Sequence, residues 1–150
     1  MSAQKSSSPR KRSKLRVLFV CLGNACRSPM AEAVANQSFG DSLAATSAGL
    51  FPLGYLPDLT QSTLTGNGYL LDGLHSKPVT PEALADADVI VNMSGHPREN
   101  AFDDPSKVLD WSVVDPYGGS PALYQRILDD IRARIAQLVA ERAPSGNQPA

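Results

Sequence analysis

The chain is poor in the residues that mark several common protein classes. It has two cysteines in 150 residues, Cys21 and Cys26, too few for the disulfide framework of a small secreted domain. Its two histidines, His75 and His96, form no ligand spacing with those cysteines, so no metal is expected. No stretch approaches the about 18 consecutive apolar residues of a membrane-crossing helix, and a membrane partner is not expected. The start, MSAQKSSSPRKRSK, is basic but lacks an apolar segment and a cleavage site, so it does not read as a secretory signal. With thiols kept reduced, the cytoplasm is the expected location. The Walker-type loop G-x4-G-K-[ST] is absent as well.

Charge of one sign is also lacking: 14 Lys and Arg stand against 15 Asp and Glu, a net charge of −1. What basic excess there is crowds the N-terminus, at Lys5, Arg10, Lys11, Arg12, Lys14 and Arg16. Residues 1–14 are therefore expected to be a solvated, disordered tail. No basic patch is interleaved with aromatics elsewhere, so nucleic acid is not an expected partner. Residues 143–150, APSGNQPA, read as a polar tail. Residues 15–142 are long enough for one domain with a real core.

Within that span, short apolar runs alternate with helical patterns. LRVLFVC (15–21), SLAATSAG (42–49), DVIVNM (88–93) and SKVLDW (106–111) read as strands, the first and third as strands buried on both faces. SPMAEAVANQSFG (28–40) reads as a helix with Ser28 as N-cap, Pro29 at its first position and Gly40 past its end. PDLTQSTLTGNG (57–68) and TPEALADA (80–87) are two further helices, the latter with Thr80 as N-cap. LFPLGYLP (50–57) reads as a loop. In ALYQRILDDIRARIAQLVAER (122–142), Leu123, Ile127, Ile131, Ile135 and Leu138 fall on one stripe. The alternation predicts an α/β fold: a single three-layer domain, a four-stranded parallel sheet with helices on both faces. Ligands of such sheets bind outside the carboxyl ends of the strands.

At the carboxyl end of the first run stands CLGNACRS (21–28). A turn between strand and helix aims successive backbone N–H groups inward, and the helix N-terminus adds its positive end. Gly23 removes a side chain where the chain bends, and Asn24 tolerates a left-handed conformation. Leu22, Gly23, Asn24, Ala25 and Cys26 together form a candidate anion cradle. Arg27 supplies a planar fork for two oxygens of a tetrahedral oxyanion. Cys21 lies at the base, where the same field favours thiolate over thiol, placed for in-line attack on a bound phosphorus. Ser28 is a hydroxyl donor to that sulfur. A lone C-x5-R is weak, but the preceding buried strand, the Gly-Asn turn, the following Ser and the Pro-opened helix agree with one another.

VCLGNACRSPMAEAV resembles the signature of the low-molecular-weight protein tyrosine phosphatase family, and the likeness extends to SAG (47–49), DVIVNM and DPYGGS (115–120). The resemblance implies a cysteine-dependent phosphatase acting on phosphorylated protein or a small phosphomonoester, without metal or other cofactor. It implies that Asp115 serves as general acid and then general base, a role for which Asp104 is the rival. It implies that Tyr117 lines the substrate slot, with Phe51 or Tyr55 as another wall. It also implies that Asn24, Ser47 and His75 brace the loop, and that Cys26 protects Cys21 through a reversible disulfide.

Two departures bear on specificity. The segment between DVIVNM and DPY is shorter than in the family, and Ala25 replaces both the bulkier aliphatic of phosphotyrosine-directed members and the threonine of arginine phosphatases. Protein phosphotyrosine is the expected substrate, with protein phosphoarginine as the alternative. Arsenate reduction ranks lower, because it requires cysteines beyond the loop. A phosphate-binding module without turnover ranks lower too, because Cys21, Arg27 and Asp115 are all present.

Overall fold

The computed structural model of the protein describes residues 14–142; the two tail readings lie outside the described residues, apart from Lys14. Strand β1 (Leu15–Cys21) leads through a turn into α1 (Arg27–Ser38). Then come β2 (Leu43–Gly49), α2 (Asp58–Gly66), α3 (Pro81–Asp86), β3 (Val89–Asn92) and α4 (Arg98–Ala101). A 3-10 turn (Pro105–Lys107), β4 (Val108–Asp110) and α5 (Pro121–Arg142) complete the order. The four strands form one parallel sheet in the order β2-β1-β3-β4. The expected α/β architecture, with helices on both faces, is what the chain adopts.

Alternation along β1 divides the core in two. Val17, Phe19 and Cys21 join one apolar cluster with Met30 and Val34 of α1, Leu64 of α2, and Leu128, Ile131 and Ile135 of α5. Leu18 and Val20 join a second with Ile90, Val108 and Phe102, against which Ala83 and Leu84 of α3 pack. A strand covered on both sides has no polar face to present, which explains its near-continuous apolar run. The buried face of α5 is wider than the expected stripe: Tyr124 and Leu128 join it, while Leu123 is only half-buried.

Two local expectations are corrected. Helix α1 begins at Arg27 with Cys26 at its N-cap position, and Ser28 is not the cap; its hydroxyl is turned toward Cys21 and Asn24 instead. The fourth strand begins at Val108, two residues later than expected. Asp104 accepts from the N–H and hydroxyl of Ser106, and with Pro105 this winds a 3-10 turn where a strand was expected. The short α4 was not anticipated. By contrast Thr80 caps α3 as expected, its hydroxyl accepting from Ala83 N–H at 3.1 Å.

The outer strand β2 is finished by a side chain. The Asn36 amide of α1 donates to Ala45 C=O at 2.9 Å and accepts from Ala45 N–H at 2.8 Å. Further along, Gly49 N–H donates to Lys77 C=O, and Val79 N–H donates to Gly49 C=O.

The sheet order reverses between β1 and β3, since β1 is followed by β2 on one side while β3 lies on the other. Such a switch point opens a crevice at the carboxyl ends of the strands. Cys21 ends β1 there, and Met93 follows β3 there. Because Leu128 of α5 is fully buried in the apolar cluster it shares with α1 and α2, Leu128→Ala should lower stability by about 2–5 kcal/mol, read as an earlier urea midpoint.

Candidate active site

The turn from Leu22 to Cys26 is held from outside by its carbonyl groups. Leu50 N–H donates to Cys21 C=O at 3.1 Å, Phe51 N–H to Leu22 C=O at 2.8 Å, and Leu53 N–H to Gly23 C=O at 2.8 Å. The Ser76 hydroxyl also donates to Gly23 C=O at 3.0 Å, and the Thr60 hydroxyl to Ala25 C=O at 2.8 Å. With carbonyls drawn outward, the amides of the turn face the other way. Among the described residues, the N–H groups of Leu22, Gly23, Asn24, Ala25 and Cys26 have no protein acceptor. Successive free amides at a helix N-terminus form a concavity for an anion.

Asn24 makes the turn possible. Its φ of 46° makes it the one left-handed residue other than glycine among the described residues, a conformation that asparagine tolerates better than most. Its fully buried amide donates to Ser28 Oγ at 2.7 Å and to Ser47 Oγ at 3.0 Å, and accepts from Lys77 N–H at 2.8 Å. Gly49 makes the second allowance. A Cβ there would lie 2.8 Å from Asn24 N and 2.9 Å from Gly23 C. Gly23 was expected to be the residue that must lack a side chain, but a Cβ at that position would meet only ordinary contacts, with Leu53 Cβ at 3.7 Å.

Cys21 is buried at the base of the turn, with Sγ 2.9 Å from Ser28 Oγ. Since Asn24 already donates to Ser28 Oγ, the single hydroxyl proton of Ser28 is left for an acceptor of its own. The sulfur at 2.9 Å is nearer than Ala48 C=O at 3.5 Å. The Ser28 hydroxyl is therefore placed to donate to the Cys21 sulfur. Ser47 passes the chain outward, donating to Glu32 Oε1 at 2.6 Å, which in turn lies 3.6 Å from Lys77 Nζ.

Arg27 is 6 % exposed. Its Nη1 donates to Met93 C=O at 2.6 Å and Val113 C=O at 3.1 Å, and Nη2 lies 3.5 Å from Asp115 Oδ2. Its Nε is buried with no partner among the described residues, an expensive state for a charged donor unless a ligand answers it. Asp115 is half-exposed, and its other oxygen accepts from Tyr117 N–H at 3.1 Å. Cys21, Leu22, Gly23, Ala25, Cys26, Arg27, Phe51, Leu53, Asp115 and Tyr117 line one cleft of about 210 Å³. Of these, Phe51 and Tyr117 are exposed, and the hydroxyl of Tyr55, outside the cleft lining, approaches that of Tyr117 to 3.4 Å. That contact with Tyr117 raises the Tyr55 phenol pKa.

The structure thus brings together Cys21, the 22–26 turn, Arg27, Ser28, Ser47, Asp115 and Tyr117. It does not bring in His75, whose exposed ring meets Gly73 C=O; its neighbours Ser76 and Lys77 hold the turn instead. Nor does it bring in Asp104, which is occupied with Ser106. Ser76, Lys77, Thr60, Glu32 and Gly49 were missed, and of these only Gly49, inside SAG, carried a signal.

Both cysteines are free thiols. Cys26 is a buried residue of the cleft wall, with Sγ 3.4 Å from Tyr124 Oη. Burial raises the Cys26 thiol above its usual 9.0, against hydrogen bonds from Thr60 and Tyr124 that lower it. Burial, and then Cys26, raise the Tyr124 phenol above its usual 10.0.

A model of the low molecular weight phosphotyrosine protein phosphatase family matches residues 16–145. Arsenate reductase 1 of Bacillus cereus is 32% identical over 124 residues, covering 81% of this chain and 92% of that protein. The crystal structure of the low molecular weight protein tyrosine phosphatase from T. tengcongensis superposes with a TM-score of 0.75 at 27% identity, covering 85% of this chain and 99% of that one. The arginine phosphatase YwlE of Geobacillus stearothermophilus gives 0.73 at 26% identity, covering 85% and 92%.

The raised values of Cys26 and Tyr124 have a stability consequence. Both groups hold their protons in the folded state at pH values where the unfolded chain releases them. The stability they contribute is complete below pH 9.0, the usual thiol value, and is lost as pH rises through the raised values. Urea melts above pH 9.0 should show falling stability, with a shallower fall in Tyr124→Phe.

Proposed function

The chain belongs to the low molecular weight phosphotyrosine protein phosphatase family, and from that membership we propose that it hydrolyses phosphomonoesters through a phosphocysteine intermediate, with protein phosphotyrosine as the substrate class. The observation that carries this reading is the turn at Leu22–Cys26: a run of unpartnered amides over a buried cysteine, beside an arginine whose Nε is also unpartnered.

The amides and Arg27 hold the three non-bridging oxygens, with Arg27 using Nε and Nη2 while Nη1 stays anchored. Cys21 Sγ attacks phosphorus in line with the ester oxygen. As the S–P bond forms and the P–O bond breaks, Asp115 gives its proton to the departing oxygen. Ser28 stabilises the thiolate before attack and again when sulfur departs. Water then attacks phosphorus, Asp115 takes its proton, the S–P bond breaks, and inorganic phosphate leaves with the Cys21 thiolate restored. No metal enters the scheme. Cys26 is the protective partner: joined to Cys21 under mild oxidant, it spares the nucleophile from irreversible oxidation. The cytoplasm, with its reduced thiols, is the fitting location.

Phe51, Leu53 and Tyr117 in the cleft lining suit an aryl ester more than a guanidinium. Faster turnover of phosphotyrosine than of phosphoarginine peptides is therefore expected, and the reverse ratio would make the chain an arginine phosphatase. The Bacillus cereus relative raises arsenate as a second substrate. Both cysteines of this chain lie in the cleft wall, leaving none elsewhere to resolve a disulfide, and thioredoxin-coupled arsenate turnover should be absent.

On a small aryl phosphate at mildly acidic pH, Cys21→Ser should abolish turnover. Asp115→Asn should slow kcat by about 10²–10⁴-fold. Turnover persisting in Cys21→Ser excludes the covalent route, and no turnover by the unaltered protein reduces the site to a phosphate-binding module.

A further inference from the structure

Beyond the cleft, the end of β3 carries a polar cluster, buried at Asn92 and Ser94 and half-exposed at Arg98 and Asp110. Every residue of β3 is buried, yet its last, Asn92, is an amide. Its Oδ1 accepts from Ser94 N–H at 3.1 Å and from the Ser94 hydroxyl at 2.7 Å. Its Nδ2 donates to His96 C=O at 2.9 Å and to Asp110 Oδ1 at 2.9 Å. All four hydrogen-bonding positions of the side chain are filled. Ser94 Oγ accepts in turn from His96 N–H at 3.1 Å. Asp110 is fixed from its other oxygen by Arg98 Nε at 3.5 Å, and Arg98 Nη1 donates to Val108 C=O at 2.7 Å.

Between Asn92 and Ser94 stands Met93. Its carbonyl accepts from Arg27 Nη1 at 2.6 Å, shorter than the second anchor, Val113 C=O, at 3.1 Å. A residue clamped on both sides has little freedom to move its carbonyl. The orientation of the guanidinium plane follows from where that carbonyl points, because both hydrogens of Nη1 are spent on main-chain carbonyls. A turn alone would need one or two of these hydrogen bonds. The network instead runs from β4, through Asn92, to the one atom that anchors the phosphate-gripping arginine most closely.

We propose that Asn92, oriented by Asp110 and locked to Ser94, is a positioning residue for Arg27, acting through the Met93 carbonyl to set the plane in which the guanidinium meets a tetrahedral oxyanion. This rests on the reading of Arg27 as the phosphoryl-binding arginine. Asn92 touches no reacting atom. It governs affinity for the oxyanion rather than proton transfer, so its loss weakens ground-state and transition-state binding alike.

The test measures inorganic phosphate binding by calorimetry, and kcat and KM on an aryl phosphate, alongside the melting temperature. Asn92→Ala and Asp110→Ala should each weaken phosphate binding about tenfold. They should lower kcat/KM by the same factor, with the pH profile of kcat unmoved. Asp110→Asn keeps an acceptor for the Asn92 amide and should restore both. Gln37→Ala removes a reciprocal amide pairing with the Leu70 backbone at the far end of α1; it should lower the melting temperature without altering phosphate binding. Should Asn92→Ala not fold, Asp110→Ala and its Asp110→Asn rescue decide the matter. Variants that melt earlier yet bind phosphate like the parent overturn the proposal and leave a structural turn. Phosphate binding without turnover by the parent would overturn the phosphatase reading but leave this proposal standing, and absence of phosphate binding by the parent overturns both.

Discussion

The site depends on one constraint: a strand and a helix joined by a turn in which the carbonyls of Cys21, Leu22, Gly23 and Ala25 are drawn outward. A peptide unit that turns its C=O one way turns its N–H the other. By supplying donors at Leu50, Phe51, Leu53, Thr60 and Ser76, the surrounding chain turns the amides of Leu22, Gly23, Asn24 and Cys26 to the opposite side. The cost is a set of amide donors without protein partners and one left-handed asparagine. That cost falls where a tetrahedral anion would recover it, and β2, the 50–57 loop, α2 and the segment before α3 all touch the turn from behind.

The two charged groups over the cleft are held differently. Arg27 is buried and fastened by main-chain carbonyls, so its position is inherited from the sheet. Asp115 sits half-exposed in a loop and contacts Arg27 only at 3.5 Å. A group that grips oxygens benefits from rigidity, whereas one that delivers a proton and then accepts one must follow the atom it serves.

Much of this was legible in the residues. The apolar run before Cys21 reported a strand covered on both faces, and the Gly-Asn step reported a turn that needs one left-handed residue. Periodicity located α5 but not its full buried width, because Tyr124 is held by its contact with Cys26 as well as by its apolar ring. Ser28 misled as a helix cap: its hydroxyl had two competing partners, and sequence cannot say which geometry wins. His75 misled for a related reason, since the neighbouring Ser76 and Lys77 occupy the place assigned to it. Contacts made by backbone atoms, such as Met93 C=O to Arg27, leave no residue-type signature, and Asn92 reads as one more strand residue until its four hydrogen bonds are seen.

The side-chain pairing of Asn36 with Ala45 has a consequence for assembly. An outer strand normally offers its free backbone groups to any passing strand of another molecule. Here a helix side chain occupies the N–H and C=O of Ala45 as a neighbouring strand would, and Lys77 and Val79 do the same at Gly49. The opposite margin, β4, is only three residues long. A partly occupied outer strand and a short opposite one are two of the devices by which a sheet discourages edge-to-edge pairing.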